Sequence, residues 1–430
     1  MENNQAVLAI GIFLVAYALI ISEKIHRTVV ALAGAVLVIM LGVISQEQAI
    51  HHIDFNTLGL LVGMMVIVAI TGETGLFRFL AIWAAKAVNG NPLKLMVALS
   101  MITALCSALL DNVTTVLLIV PVTLSITKQL AVKPVPYLIS QIIASNIGGT
   151  ATLIGDPPNI MIGSAVKELD FLAFINNLAG ISFVILIITI LLLTLIYRKQ
   201  LTTTKELSEK IMSLDPGKQI KNSKLLTLSL AVLALTVTLF FFHQQLHLES
   251  ATVALFGAVL LIILAKKNSD HDLESIFHKV EWVALLFFVG LFILVGGLID
   301  TGVISLLAQK SLELTAGNPV TTAMLILWLS AIASAFVDNI PFVATMIPLI
   351  KDMGAMGVTN LEPLWWSLAL GACLGGNGTL VGASANVIVA GLAAQEGYPL
   401  SFTKFLKVGF PLMLLSILIS SVYIYLRYLI

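Results

Sequence analysis

The feature that most constrains this chain is a segment, residues 107–161, that is apolar enough for lipid but contains residues that lipid disfavours. It reads SALLDNVTTVLLIVP at 107–121 and ASNIGGTATLIGDPPNIM at 144–161. Polar and ionisable side chains at membrane depth are costly and generally face a cavity, so they are candidates for function. The glycines and prolines predict interrupted helices, because freed backbone groups at that depth must be buried in protein or line water.

The same pattern recurs further along the chain after a constant shift of 227 residues. Residues 334–348 read SAFVDNIPFVATMIP, and residues 375–388 read GGNGTLVGASANVI. Two copies are too few for a solenoid. A duplicated half that meets its twin is typical of secondary transporters, whose binding site lies between the halves. We therefore predict a first repeat at 1–197, a cytoplasmic linker at 198–224 and a second repeat at 225–430.

The composition indicates a multi-pass membrane protein. Of the 430 residues, 59% are hydrophobic and 11% are charged, against about 25% charged residues in soluble domains. The net charge is zero, which gives no indication of nucleic-acid binding. The two cysteines provide neither a disulfide framework nor metal-ligand spacing. No phosphate-binding G-x-x-x-x-G-K-[ST] loop is present, so ATP hydrolysis would need a separate ATPase subunit, and we expect no bound cofactor.

The apolar runs predict an all-α polytopic fold with about ten spanning helices, each near the roughly 20 residues that cross the hydrocarbon. They lie at about 7–22, 28–45, 56–72, 137–166 (broken), 178–197, 225–242, 251–265, 281–299, 364–395 (broken) and 405–426. Residues 76–91 and 303–319 are predicted to be interfacial amphipathic helices. Residues 93–128 and 320–350 are too long for one span, and we predict re-entrant hairpins with Asp-Asn near each tip.

The distribution of basic residues predicts the orientation of these elements. With the lysine-rich linker in the cytoplasm, all but four of the 23 Lys and Arg residues lie on the cytoplasmic side, as the positive-inside rule requires. The exceptions are Lys167, Lys310, Lys351 and Arg427. Both termini are then extracytoplasmic. An odd number of spans in each repeat inverts the second repeat, so the two hairpin tips are expected to meet near the midplane of the bilayer.

The sequence DNVTTVLLIVPVT, followed by SNIGGTATLIGDPPNIMI, resembles the signature of the ion-transporter superfamily. The resemblance is strongest to the branch of bacterial arsenite permeases and the melanosomal P-protein, which carries a citrate transporter-like domain. Citrate and dicarboxylate transporters and one type of sodium/proton antiporter are more distant. Over essentially the whole chain, the resemblance implies an inverted-topology repeat with a scaffold and an elevator-type transport subdomain, alternating access and a homodimer.

Carried over residue by residue, the resemblance implies that substrate and sodium bind at the hairpin tips and helix breaks. In the first repeat these positions are Asp111, Asn112 and Thr114 at the tip and Asn146, Gly149, Thr150 and Thr152 at the break. In the second repeat they are Asp338 and Asn339 at the tip and Gly376, Asn377 and Thr379 at the break. The candidate sodium ligands are Asn112, Thr152, Asn339 and Thr379. The acidic tips depart from the Ser-Asn-Thr motif of the dicarboxylate branch, which counts against a carboxylate substrate.

Three acids at membrane depth permit two interpretations each. Asp111 and Asp338 are either ligands for a coupling ion or proton, or carboxylates that cap the next half-helix. Asp156 has no acidic counterpart, because its repeat mate is Ala383. It is either the acid that only one repeat needs for a proton or cation, or a turn residue before Pro157. Cys373 lies near the second break, where it is either a sulfur ligand for trivalent arsenic or a small buried filler.

These residues lead to a main hypothesis of a secondary active transporter for a small anion or oxyanion, resembling an arsenite permease and driven by sodium or protons. The alternatives are a sodium/proton antiporter and a di- or tricarboxylate transporter. An intramembrane aspartyl protease is the remaining alternative, because Ile-Gly-Asp-Pro at 154–157 resembles a Gly-Asp catalytic loop. We expect a transporter rather than an enzyme, in the plasma membrane of a prokaryote.

Overall fold

The computed structural model describes residues 2–22, 24–266 and 273–430, and within them it is helical, with no strand. Lys267, one of the residues that the charge argument counts as cytoplasmic, lies outside the described residues. The first repeat contains α1 (Glu2–Ser22), α2 (Arg27–Met40), α3 (Gln46–His52), α4 (Phe55–Glu73), α5 (Leu76–Ala87), α6 (Pro92–Leu109), α7 (Asn112–Gln129), α8 (Val135–Thr150), α9 (Pro157–Ala165), α10 (Phe171–Phe174), a π-helical turn (Ile175–Ala179) and α11 (Gly180–Tyr197).

The linker contains α12 (Lys205–Met212) and a 3₁₀ turn (Gly217–Gln219). The second repeat contains α13 (Ser223–Phe242), α14 (Ser250–Lys266), α15 (Leu273–Phe277), α16 (Trp282–Asp300), α17 (Val303–Thr315), α18 (Pro319–Phe336), α19 (Asn339–Ala355), α20 (Glu362–Gly375), α21 (Ser384–Gln395), α22 (Phe402–Ile424) and a π-helical turn (Tyr425–Leu429). The 227-residue shift maps α4 onto α16 and α6 onto α18 at both ends. The repeat seen in the sequence is therefore also a repeat of helices.

All ten predicted spans fall on helices. Eight helical stretches among the described residues are long and apolar enough to cross a bilayer. Six of them coincide with predicted spans, and the other two, α6 and α18, lie in the segments predicted as re-entrant hairpins. Three further apolar helices, α2, α14 and α21, are shorter. The two spans predicted to be broken are broken, since α8 is followed by α9, and α20 by α21, with non-helical residues between them.

The segment predicted as the first hairpin does fold back on itself. Two hydrogen bonds fix α8 beside α6 over its whole length: Tyr137 Oη donates to Pro92 O at 2.8 Å, and Ser107 Oγ donates to Ser145 O at 2.7 Å. α7 lies between them in the chain and has 18 residues, about 27 Å of helix. Because α8 begins beside Pro92, at the start of α6, the chain has to return from the end of α6 to its start. The short connection between α7 and α8 cannot cover that distance by itself, so α7 must run back along α6.

Close packing of small residues shows which of the neighbouring helices run in the same direction. The contacts are Gly59 with Ala251 and Gly63 with Ala254 between α4 and α14, and Gly34 with Leu294 and Gly297 with Val38 between α2 and α16. In each pair the residue numbers rise together, so α4 runs parallel to α14, and α2 runs parallel to α16.

Two ion pairs at opposite ends of α16 show that this helix runs antiparallel to α4. His52, before α4, contacts Asp300 at the end of α16, with Nε2 and Oδ1 3.0 Å apart. Glu73, at the end of α4, pairs with Lys279, before α16. The same 227-residue shift relates the two pairs. Because α2 is parallel to α16 and α4 to α14, each of these helices is antiparallel to its own repeat mate, and the repeat is inverted.

The helices pack into two groups, which position the site. One group comprises α1–α4, α13, α14 and α16, and the other comprises α6–α9, α11 and α18–α22. α5 and α17 follow α4 and α16 and pack against α7 and α19. We call the first group the scaffold group and the second the hairpin group.

The linker is docked against the first repeat rather than merely solvated, which differs from the simplest expectation for a lysine-rich segment. Lys86 Nζ on α5 donates to Leu214 O at 2.9 Å, and Lys221 N donates to Thr74 O at 2.9 Å. Gly75, whose φ of 88° is left-handed, lies directly against Gln219 O. A side chain at Gly75 would therefore be strained by its backbone and would also collide with the linker.

Candidate functional site

The acids at the two hairpin tips both cap the helix that follows them. Asp111 Oδ1 accepts the backbone N–H of Thr114 at 2.8 Å, and the Thr114 hydroxyl donates to the other carboxylate oxygen. Asp338 Oδ1 accepts the backbone N–H of Ile340 at 3.1 Å. Capping is one of the two roles that the sequence permitted, and it fixes the start of α7 and of α19 at the tips.

Two asparagines hold the helix breaks in shape. Asn159 Nδ2 donates to Thr150 O at 3.1 Å and to Thr152 O at 2.9 Å, across the gap between α8 and α9. Asn386 Nδ2 donates in the same way to Gly376 O at 2.7 Å and to Thr379 O at 2.9 Å. These amides satisfy carbonyls that the interrupted helices leave without helical partners.

In each repeat, one threonine connects the helix break to the hairpin. Thr152 Oγ1 donates to Ala108 O at 2.5 Å, near the end of α6. Thr379 Oγ1 donates to the equivalent carbonyl, that of Ala335 near the end of α18. The backbone also crosses closely at the first break, because a Cβ atom at Gly149 would lie 2.5 Å from Gly155 O. The tip and break of each repeat therefore form one connected unit.

An amide network joins the two repeats at the centre of the molecule. Asn112 Nδ2 donates to Asn146 Oδ1 at 3.1 Å, and Asn146 Nδ2 donates to Asn377 Oδ1 and to Asn386 Oδ1, both at 3.0 Å. These four side chains are at most 2% exposed. The structure thus brings tip one, break one and break two together, as the predicted site requires. Asn112 Oδ1 is buried without a hydrogen-bond partner among the described residues.

Cys373 occupies the position that is equivalent to Asn146 in the second repeat. Its Sγ donates to Asn159 Oδ1 at 3.5 Å, which mirrors the donation from Asn146 to Asn386. The sequence placed Cys373 near the second break but did not predict this symmetric position. The centre of the site therefore has an amide on one side of the pseudo-twofold axis and a thiol on the other.

Asp156 is a buried acid that has neither a cationic partner nor a cap hydrogen bond among the described residues. It is 1% exposed and lies at the N-cap of α9, but its side chain makes no cap hydrogen bond. The next two residues are Pro157 and Pro158, which have no N–H to donate. Its side-chain neighbours from the second repeat are Asn339, whose Nδ2 is 3.4 Å from Asp156 Oδ1, and the thiol of Cys373. The arrangement gives no support to the turn-residue interpretation, in which the carboxylate would bond its own turn.

Asp338 is paired with a residue that the sequence analysis missed. Arg27 Nη1 donates to Asp338 Oδ2 at 2.5 Å and to Ser384 Oγ at 2.8 Å, and Ser384 Oγ in turn donates to Asp338 Oδ2 at 2.7 Å. The guanidinium also lies 5.1 Å from the ring centre of Phe287. The sequence contains one signal that could have indicated Arg27. It is an arginine at the start of an apolar helix, and its repeat mate, Ala254, is uncharged.

The hydroxyl and amide hydrogens of the predicted site are largely used within the protein. Thr114, Thr150, Thr152 and Thr379 each donate to a carboxylate or a backbone carbonyl. The side-chain nitrogens of Asn112, Asn146, Asn339 and Asn377 also donate within the protein. Oxygen lone pairs and the carboxylates are most of what remains available to a ligand, together with the second N–H of Asn112 and of Asn377. Asp338 and Asp111 both lie close enough to Asp156 to interact with it electrostatically.

Comparisons with known proteins agree with this architecture. The citrate transporter family model (CitMHS) matches residues 17–371. An uncharacterized transporter of Mycobacterium tuberculosis is 44% identical over 430 residues and covers 99% of both chains. The human P protein is 35% identical over 504 residues, which cover 98% of this chain and 60% of the P protein.

A solved structure has the same fold at low sequence identity. The crystal structure of the Alcanivorax borkumensis YdaH transporter matches 98% of each chain with a TM-score of 0.60 and 14% identity. The matched family is a transporter family and the mycobacterial relative is named a transporter, which confirms that the chain is a transporter and not an enzyme and removes support from the aspartyl-protease alternative. This chain therefore belongs to the citrate transporter family, within the ion transporter superfamily whose motifs it carries.

Proposed function

We propose that this protein is a secondary active transporter that exchanges sodium for protons, with Asp156 as the acid that carries the coupled ion. The observation that carries the proposal is the unpaired, buried carboxylate of Asp156 at the meeting point of the two hairpins. A buried charge without a partner is costly. Binding Na⁺ or H⁺ removes that cost, so the two ions compete for one carboxylate.

The surrounding groups favour a cation over an anion. Because the threonine hydroxyls and most asparagine N–H groups already donate within the protein, most of the atoms left for a ligand are acceptors such as Asn112 Oδ1. Sodium binds oxygen acceptors, whereas an anion needs donors or positive charge. Arg27 is the cation in contact with the site, and Asp338 already neutralises it.

An uncharged oxyacid of the arsenite type is the second candidate. It fits the observation that amides and the Cys373 thiol surround the centre, because a neutral hydroxylated solute needs both donors and acceptors but no net positive charge. A citrate-like anion with two or three negative charges has less support, since it would approach three carboxylates and find one arginine that is already paired.

The packing of the two groups suggests how the site changes sides. We propose that the hairpin group moves against the scaffold group in an elevator-type step, so that the site is exposed to each side in turn. We also propose a homodimer in a prokaryotic plasma membrane with both termini outside, because the positive-inside rule favours that orientation.

The test is proton flux in proteoliposomes that contain a pH-sensitive dye. An outward sodium gradient imposed without any added anion is expected to acidify the lumen in the wild type and in Asp215→Asn, because sodium leaves in exchange for protons. Asp215 is exposed on the linker and is the matched control. Asp156→Asn is expected to abolish the signal. A signal that depends on added arsenite or citrate, or that survives Asp156→Asn, would contradict sodium/proton exchange at Asp156.

A further inference from the structure

The side chain of Arg27 connects the scaffold group to the hairpin group. It is the first residue of α2 in the scaffold group, and its guanidinium contacts Asp338 at the tip before α19 and Ser384 at the start of α21 in the hairpin group. Asp338 is 8% exposed, and Arg27 is 30% exposed. The ion pair is therefore partly screened from water, and removing one partner would leave the other charge partly buried and unpaired, which costs more than breaking a pair on an open surface.

The side chains that bond Asp338 (Arg27 and Ser384) and the Phe287 ring that packs on Arg27 have no chemical counterparts in the other repeat. The mate of Arg27 is Ala254, the mate of Ser384 is Pro157, and the mate of Phe287 is Leu60. The acid itself does have a mate, Asp111, but Asp111 is held by Thr114 from its own helix. Among the residues that the structure describes, the second hairpin thus has a charged attachment to the scaffold group and the first hairpin has none.

This asymmetry matters for a protein built from inverted repeats. When such a transporter changes its facing direction, each repeat takes up the arrangement that the other had before. In the exchanged arrangement Asp111 would stand in the position of Asp338, and the residue opposite it would be Ala254. No guanidinium is available there, so the exchanged arrangement lacks this ion pair.

We propose that Arg27 is a latch that holds the tip of the second hairpin against the scaffold group, and that the latch makes the facing state seen here the resting state. Transport then requires the Arg27–Asp338 pair to break once in each cycle. Arg27 acts through Asp338 and is a positioning residue. The inference rests on alternating access alone, and it holds whichever ion or solute is transported.

A cavity of about 370 Å³ beside the pair gives experimental access to the latch. Arg27, Val337, Asp338 and Ser384 are among the residues that line it. We expect a cysteine placed at Val337, which lines this cavity, to react with a water-soluble maleimide in this facing state. Of the two native cysteines, Cys373 is completely buried, and Cys106 can be replaced by alanine.

The experiment measures the maleimide labelling rate of Val337→Cys in Cys106→Ala protein reconstituted in liposomes. Arg27→Gln and Asp338→Asn are each expected to slow labelling by about threefold or more. Without the ion pair, a smaller fraction of the molecules is in the resting state, in which residue 337 is expected to be accessible. The double variant is expected to be no slower than either single variant, since both remove one interaction. Arg27→Lys is expected to restore part of the rate. Arg78→Gln, on the exposed face of α5, is the matched control.

An unchanged or faster labelling rate in both single variants would contradict the latch. A double variant whose labelling is slowed by the product of the two single-variant factors would also contradict it, because the two residues would then act independently. Elution profiles and thermal unfolding midpoints identify any variant that has lost its fold. Arg27→Gln with Asp338→Asn removes both charges together and leaves neither one unpaired. Labelling needs no sodium or pH gradient, so the result is independent of whether Asp156 couples sodium to protons.

Discussion

At the scale of single residues, the site is defined by which polar atoms already have partners. The amides of Asn112, Asn146 and Asn377 bond each other across the repeat interface, and the hydroxyl of Thr152 bonds a backbone carbonyl. Asp156 differs from all of them, because the two prolines after it remove the N–H groups that would cap it. This lack of partners is the reason why we propose Asp156 as the residue that binds and releases a cation.

We expect Asn146→Ala to destabilise the protein by about 1–3 kcal/mol. The substitution leaves the buried Oδ1 atoms of Asn377 and Asn386 without the donor that Asn146 provides. The measurement is the thermal unfolding midpoint of purified protein in detergent. Asn176→Ala, at an exposed position, is the control and is expected to leave the midpoint unchanged. Equal midpoints for both variants would show that the amide network does not hold the repeats together.

The sequence allowed most of the central side chains to be predicted, because an asparagine or aspartate inside an apolar run is costly at membrane depth unless it bonds another polar group or a ligand. Asn112, Asn146, Asn377 and Asp156 all fall into this class. Arg27 could not be found in the same way. It begins a helix, where a basic residue is typical of a membrane-edge anchor, and its partner lies 311 residues away. A long-range charge pair of this kind leaves no local pattern.

At the scale of helices, the breaks and tips depend on close backbone contacts that only glycine permits. Gly148 packs against Ala104 on α6, and a Cβ atom there would lie 2.1 Å from the Ala104 carbonyl oxygen. The equivalent contact in the second repeat is between Gly375 and Ala331 on α18. The sequence predicted interrupted helices from these glycines, but it could not predict which neighbouring helix each glycine approaches.

We expect Gly149→Ala to destabilise the protein by about 1–3 kcal/mol and to reduce transport, because the new Cβ atom would collide with Gly155 O in the first break. Gly180→Ala is the matched control, since nothing lies within 4 Å of a Cβ atom there and its φ is −63°. Alanine at Gly180 is expected to be neutral or stabilising by up to about 1 kcal/mol. Similar unfolding midpoints for the two variants would contradict the close crossing at the break.

At the scale of the whole molecule, two inverted repeats place their interrupted segments together at one interface. The ion pairs His52–Asp300 and Glu73–Lys279 are related by the repeat and lie at opposite ends of α16, so the inversion is built into the scaffold group as well as the site. The apolar segments, the two helix breaks and the duplication were predictable from hydropathy and spacing, whereas α6 and α18, which lie in the predicted hairpins, are themselves long and apolar enough to cross a bilayer. Which helices form the scaffold group depends on tertiary packing, which no single segment encodes.

The account depends most on the claim that this interface binds a cation at Asp156. Equilibrium binding of radioactive sodium to the purified protein tests it directly. The wild type and Asp215→Asn are expected to bind sodium at alkaline pH and to lose it on acidification, as protons compete for the carboxylate, and Asp156→Asn is expected to bind none. Sodium binding that is unchanged by Asp156→Asn, or that does not depend on pH in the wild type, would contradict the account.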